Sequence, residues 1–271
     1  MAFAPARALA LAVQVCLAAT APALPAGAAD TLTVGGTGSA NELLRMVGAA
    51  FEARSGVTVD VVASLGSTGA IHALADGVLD VVVAGRRLTP KEVSEGLSVA
   101  LSVRTPFVLA TSHPSPGTMT LGDIANAYRS ERAVWDDGSP IRPILRPRTE
   151  ADTALMGELF PGLAAAMAMA RQRPDVPVAA TDQDNADMAE QTPGSLIGST
   201  LTQLRLEKRK LRVIPIEGLE PSFENFERGI YPYAKPLNFI VRTPPAASAE
   251  RFIGFLRSPE GQAMLRKANI L

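Results

Sequence analysis

The chain has 271 residues, with 26 Lys and Arg against 27 Asp and Glu, a formal net charge of −1 and a single cysteine. So even a balance, without a long basic tract, excludes a surface built for nucleic acid or for anionic membranes. The lone Cys16 excludes a disulfide framework.

Residues 1–7 carry one positive charge, residues 8–24 form an apolar run broken by Gln14 and Pro22, and small residues fill 25–29 before Asp30. This order is that of a secretory signal peptide, and the run is shorter than the roughly 20 apolar residues of a membrane-spanning helix. Cys16 lies inside it, so the mature chain is expected to hold no thiol. Setting 1–29 aside leaves about 240 residues, room for one large or two modest domains.

Residues 31–34 alternate as a short strand and run into Gly36, Thr37, Gly38 and Ser39. Leu43, Leu44, Val47, Ala50 and Phe51 then keep helical spacing up to Gly56. The unit repeats with a β-branched strand over 57–62, a small-residue turn over 64–69, a short helix over 70–74 stopped by Gly77, and a strand over 80–84. Strand, glycine-rich turn and helix in this order predict parallel βα units, hence the α/β class. Further along, strands are expected at 107–110, 141–145, 211–216 and 239–241. Helices are expected at 121–128 and 249–256, with one alanine-rich helix over 153–169. The polar stretch 171–191 reads as surface loop and short helix. Ser258, Pro259 and Glu260 make a cap, a first helical position and an acidic first turn for a last helix.

The two glycine-rich turns are the first candidate site. Thr37, Gly38 and Ser39, and likewise Ser67, Thr68 and Gly69, place amide donors and hydroxyls where a strand gives way to a helix. Helix starts of this kind favour an anion, and in a parallel sheet both turns open at the ligand crevice. Either turn alone also reads as an ordinary tight connection. A third strand exit carries Arg146, Thr149, Asp152 and Thr153, where an arginine fork suits two oxygens of an anion. The alternative is a capping Asp152 with solvated arginines. Arg86 and Arg87 follow the third strand, in the manner of a solvated pair.

Enzyme motifs are incomplete. Residues 65–69 lack the first glycine of a nucleophile elbow, no lysine follows the glycines as in a P-loop, and Gly36 and Gly38 lack the third glycine of a dinucleotide fingerprint. His72 and His113 stand alone, and no ligand cluster calls for a metal or other cofactor.

On these residues the chain resembles the phosphate-binding components of ABC transporters, a branch of the two-lobed periplasmic binding proteins. The resemblance runs through 36–39, 66–69, 80–90, 146–153, the return segment 231–237 and the ending 252–265, and covers nearly the whole mature chain. It implies two lobes, each a mixed, mainly parallel sheet flanked by helices, with a ligand cleft between them and hinge closure on one oxyanion. Lobe 1 is expected over 30–110 and 235–271, and lobe 2 over 111–234. Ser39, Ser67, Thr68 and Arg146 would contact the ligand.

Two departures stand out. Where the family carries an acid after the third strand, this chain has Gly85, Arg86 and Arg87, and after Arg146 carboxylates replace some hydroxyls. Asp152 would then be the proton acceptor, with Arg86 adding charge. The expectation is a monomeric, non-enzymatic periplasmic protein that captures a small oxyanion, phosphate first, for permease subunits in the inner membrane. The runners-up are a ligand-binding module for signalling or for another anion, and a hydrolase using Ser39 or Ser67.

Overall fold

The computed structural model describes residues 1–2, 30–63 and 65–271. The expected leader, with Cys16, lies outside the described residues apart from its first two.

The repeated βα units form as expected. Strand β1 (Thr31–Gly36), helix α1 (Asn41–Ser55), strand β2 (Thr58–Val62), helix α2 (Gly66–Ala75) and strand β3 (Val81–Ala84) follow in order. β1 lies parallel between β2 and β3. The turn over 64–69 is shorter than the composition suggests, because the helix already begins at Gly66. After α3 (Pro90–Ser94), β4 (Leu97–Thr111) is one 15-residue strand of which only the last residues are apolar enough to announce themselves.

The middle of the chain holds α4 (Leu121–Arg129), β5 (Arg142–Pro143), α5 (Ala151–Leu159), α6 (Leu163–Ala170), α7 (Asp182–Gln191), β6 (Ser195–Thr200), α8 (Leu201–Leu206), β7 (Arg212–Ile214) and α9 (Phe223–Glu227). The alanine-rich run is two helices rather than one. Pro161 cannot continue a helix, and Gly162 takes φ +77° at the start of the next. The strand expected over 141–145 shrinks to two residues, the second of them Pro143, which has no amide to give to a ladder. The chain returns through β8 (Ala234–Arg242), α10 (Ala247–Arg257) and α11 (Pro259–Lys267).

One mixed sheet carries all eight strands, in the order β2-β1-β3-β8-β4-β6-β5 with β7 beside β4. Pairing is parallel among β1, β2 and β3 and between β5 and β6. It is antiparallel wherever β4 or β8 takes part, including between those two. Alternation along the strands feeds opposite faces. Val81 and Val83 join α1 and α10 in one core, whereas Val82 and Ala84 face α2 in a smaller one. A separate core gathers Phe107, Tyr128, Phe160, Leu196 and Tyr231. β4 passes from the first core, at Val103, to the other, at Phe107.

β4 and β8 make that passage together, paired from Leu97↔Arg242 to Pro106↔Ala234. Both prolines of the crossing, Pro106 and Pro236, are tolerated there. Pro236 lies opposite Arg104, whose N–H points away from β8 to the Leu271 carbonyl at 2.8 Å, so this is a position where the ladder needs no amide from either strand.

Candidate functional site

Gly36 begins the site. Its φ is +154°, and a Cβ there would lie 2.0 Å from the Val83 carbonyl oxygen. Glycine therefore lets β1 close on β3, and the next amide, Thr37, donates to Val83 O at 2.8 Å. A single 3-10 turn over Gly38–Ala40 then leads into α1, which buries Thr37, Gly38 and Ser39 at the helix start. Ser67, in the first turn of α2, is also buried, and its Oγ accepts the Gly85 N–H at 2.9 Å.

Lys235 of β8 ties these elements together. It is 0 % exposed, and its Nζ donates to Ser39 Oγ at 2.8 Å and to Thr37 Oγ1 at 3.2 Å, and pairs with Asp152 Oδ1 at 2.5 Å. Its stem fills the space over Gly85, where a Cβ would come 2.7 Å from Lys235 Cε.

The facing wall comes from the connection into α5 and from the start of α7. Arg146 is buried, donates to the Ala179 carbonyl at 2.9 Å, and lies 3.4 Å from Glu150 and 3.6 Å from Asp182. Its Nε has no hydrogen-bond partner among the described residues. Asp182 is placed by a reciprocal cap between Thr181 and Asp184 at the head of α7. Its Oδ2 accepts the Ser39 N–H at 2.9 Å and faces Thr37 Oγ1 at 3.5 Å. Beside it Gln183 Nε2 donates to the Gly38 carbonyl at 2.9 Å.

Three carboxylates thus meet two cations. Burial is the main cause that pushes the Asp152 carboxyl above the ordinary carboxylate range, against the pull of Lys235. Glu150 is raised for the same reason, with Arg146 opposing and the charges of Asp182 and Asp152 adding to the rise.

Of the residues singled out from sequence, Thr37, Gly38, Ser39, Arg146 and Asp152 come together in this cluster, and Ser67 adjoins it through Gly85. Thr68, Gly69 and Thr149 are exposed. The Thr153 hydroxyl is spent on the Pro147 carbonyl at 2.9 Å. Arg86 is gripped by Glu92 through two bonds of 2.9 and 2.7 Å, which hold the Glu92 carboxyl down at about 2, so its charge is already compensated. Lys235, Asp182 and Glu150 were not among the candidates. The capping box before Asp182 was the one local signal available. His72 is exposed on α2, while His113 stacks on Trp135 and meets Asp137 at 3.0 Å.

Outside the cluster opens a chamber of about 610 Å³ lined by Gly85, Arg86, Arg87 and Pro236 on one side and by Arg148, Thr149 and Glu150 on the other. A larger surface groove of about 820 Å³, which includes Arg205, Arg209 and Phe223, shares no residue with it. There Arg209 is taken up by Glu207 at 2.7 Å.

The profile of the PBP superfamily domain matches residues 21–260. No curated protein matches the chain by sequence. Among solved structures the chain is similar to a Clostridium perfringens protein assigned as a phosphate ABC transporter substrate-binding protein and solved with phosphate. The identity is 18%, the TM-score is 0.76, and 89% of this chain and 99% of that one are covered. An ABC-type phosphate transport receptor from Vibrio cholerae is 16% identical with a TM-score of 0.63, covering 89% and 99% of the two chains. The periplasmic molybdate-binding protein of Azotobacter vinelandii is 14% identical with a TM-score of 0.57, covering 89% and 98%. At these identities the likeness is one of fold.

Proposed function

We propose, from the premise that this chain belongs to the PBP superfamily, that it is an extracytoplasmic solute-binding protein capturing a small oxyanion, phosphate first, for an ABC importer. One observation carries the reading. The Ser39 amide, the hydroxyls of Thr37 and Ser39, the Lys235 ammonium and the Arg146 guanidinium gather in one buried cluster built by both halves of the sheet. Such donors, held in a dry site, favour a negatively charged group. The similar proteins from Clostridium perfringens and Vibrio cholerae, both assigned to phosphate transport, support phosphate as the first candidate.

In this reading residues 1–29 are a cleaved leader, and the mature monomer works in the periplasm and delivers its solute to permease subunits in the inner membrane. Lobe 1 comprises 30–110 and 235–271, and lobe 2 comprises 111–234. Thr37, Gly38, Ser39, Ser67, Arg146 and Asp152 line the binding position, with Lys235 added by the geometry. Ser39 is a ligand contact rather than a nucleophile, since its neighbour Lys235 is engaged by Asp152 at 2.5 Å and serves as a donor.

Thermal shift of the purified protein against phosphate, sulfate, molybdate, carboxylates and amino acids tests this. A true ligand at about 100 times its Kd adds about 2.7 kcal/mol by mass action. Phosphate is expected to raise Tm, and Lys235→Met to abolish the rise. A protein indifferent to every oxyanion would overturn the reading.

A further inference from the structure

The donors aimed at a solute are already met by a side chain of the protein itself. Asp182 Oδ2 receives the Ser39 N–H at 2.9 Å and faces the Thr37 hydroxyl at 3.5 Å, while its Oδ1 lies 3.6 Å from Arg146. Amide, hydroxyl and guanidinium are the three kinds of donor that an oxyanion would use, and a carboxylate satisfies them with the same two-oxygen geometry. The contact also bridges the fold. Asp182 heads α7, packed within the core of Phe107 and Tyr128, whereas Ser39 lies in the 3-10 turn that leads into α1, packed within the core of Leu32 and Val83. The approach is tight, since a Cβ on Gly38 would stand 2.7 Å from Asp182 Oδ2 and 2.8 Å from Gln183 Oε1.

We propose that the Asp182 carboxylate is a built-in competitor for the oxyanion, one that takes the cradle donors itself, latches the two lobes together and must be displaced when a solute binds. The proposal rests on the oxyanion reading above and adds to it the group that sets how tightly the site responds. It also accounts for the third carboxylate in a cluster with two cations. Glu150 and Asp152 have Arg146 and Lys235 as partners at 3.4 and 2.5 Å, and Asp182 is the one whose shortest contact is to a peptide amide of the opposite wall. Binding is then an exchange of one anion for another, and affinity is the difference between two similar interactions.

The test compares the wild type with Asp182→Ala and Asp182→Asn, using inorganic phosphate as the probe. Circular dichroism checks that each variant folds, and the isosteric Asn keeps the Thr181 and Asp184 cap intact. Calorimetric titration is expected to show phosphate binding at least about tenfold tighter in Asp182→Ala, one latch bond having been removed from the competition. Small-angle scattering is expected to give the wild type the same radius of gyration with and without phosphate. Asp182→Ala should be more extended alone and contract when phosphate is added.

Equal affinities and equal radii in wild type and variants would overturn the latch while leaving the oxyanion reading in place. Weaker binding by Asp182→Ala would make Asp182 a ligand contact and overturn it as well. Absence of phosphate binding in all three proteins would remove the oxyanion reading, and the latch with it.

Discussion

Glu150 shows how the charge excess of the cluster bears on stability. Burial and the charges of Asp182 and Asp152 push its carboxyl up, and Arg146 only partly offsets them. A carboxyl raised in the folded state binds its proton more tightly there than in the unfolded chain, so stability falls as pH rises through the carboxylate range. Glu150→Gln removes that loss. At pH 7 the variant is expected to be more stable than the wild type, read as a higher Tm, and the gain should fade as the pH is lowered toward 4. A difference in Tm that stays constant from pH 4 to 7 would show that Glu150 acts through something other than its proton. At this scale much of the site is legible in sequence. Thr37, Ser39 and Arg146 each sit within three residues of a strand exit, and Asp152 in the first turn of the helix that follows Arg146, where composition and spacing expose them. Lys235 and Asp182 are not legible in the same way. They reach Ser39 across 196 and 143 residues of chain, and a lysine in a strand carries no local mark of burial.

Among the elements, the junction of α10 and α11 is the most closely fitted. Ser258 caps α11 by accepting the Gly261 N–H at 3.2 Å, as Ser258, Pro259 and Glu260 lead one to expect. Gly261 also lies against the preceding helix, where a Cβ would stand 2.2 Å from the Phe255 carbonyl oxygen and 2.7 Å from Leu256 Cα. Backbone cannot yield as a side-chain tip can. Gly261→Ala is therefore expected to cost about 1–3 kcal/mol, read as a lower midpoint in urea denaturation, with α10 and α11 levered apart. An unchanged midpoint would mean that the elbow has slack. Elements with strong periodicity or caps, such as α1 and α11, follow from local pattern. The first half of β4 and all of β6 do not. Ser98, Arg104 and Pro106 interrupt the apolar pattern of β4, and Gly198 sits in the middle of β6. There a Cβ would meet Phe107 Cζ at 2.7 Å, so what reads as a breaker is a packing requirement of a neighbour.

For the whole molecule, the α/β class follows from the repeated units of the first 84 residues, whereas the antiparallel middle of the sheet depends on the return of β8 from more than a hundred residues away. The two large cores are distinct, yet β4 supplies side chains to both and β8 pairs with it along the whole crossing. Differential scanning calorimetry is accordingly expected to show one transition, with calorimetric and van't Hoff enthalpies equal. Two resolved transitions would mean that the cores melt independently. The same crossing has a mechanical consequence. Pro106 and Pro236 stiffen its backbone at places where no rung is lost. Relative rotation of the halves is thus shared as small torsions over many residues of a ribbon. A rotation of one half against the other would wind this ribbon as a torsion bar is wound, its angle spread along the paired strands rather than taken up at one swivel residue.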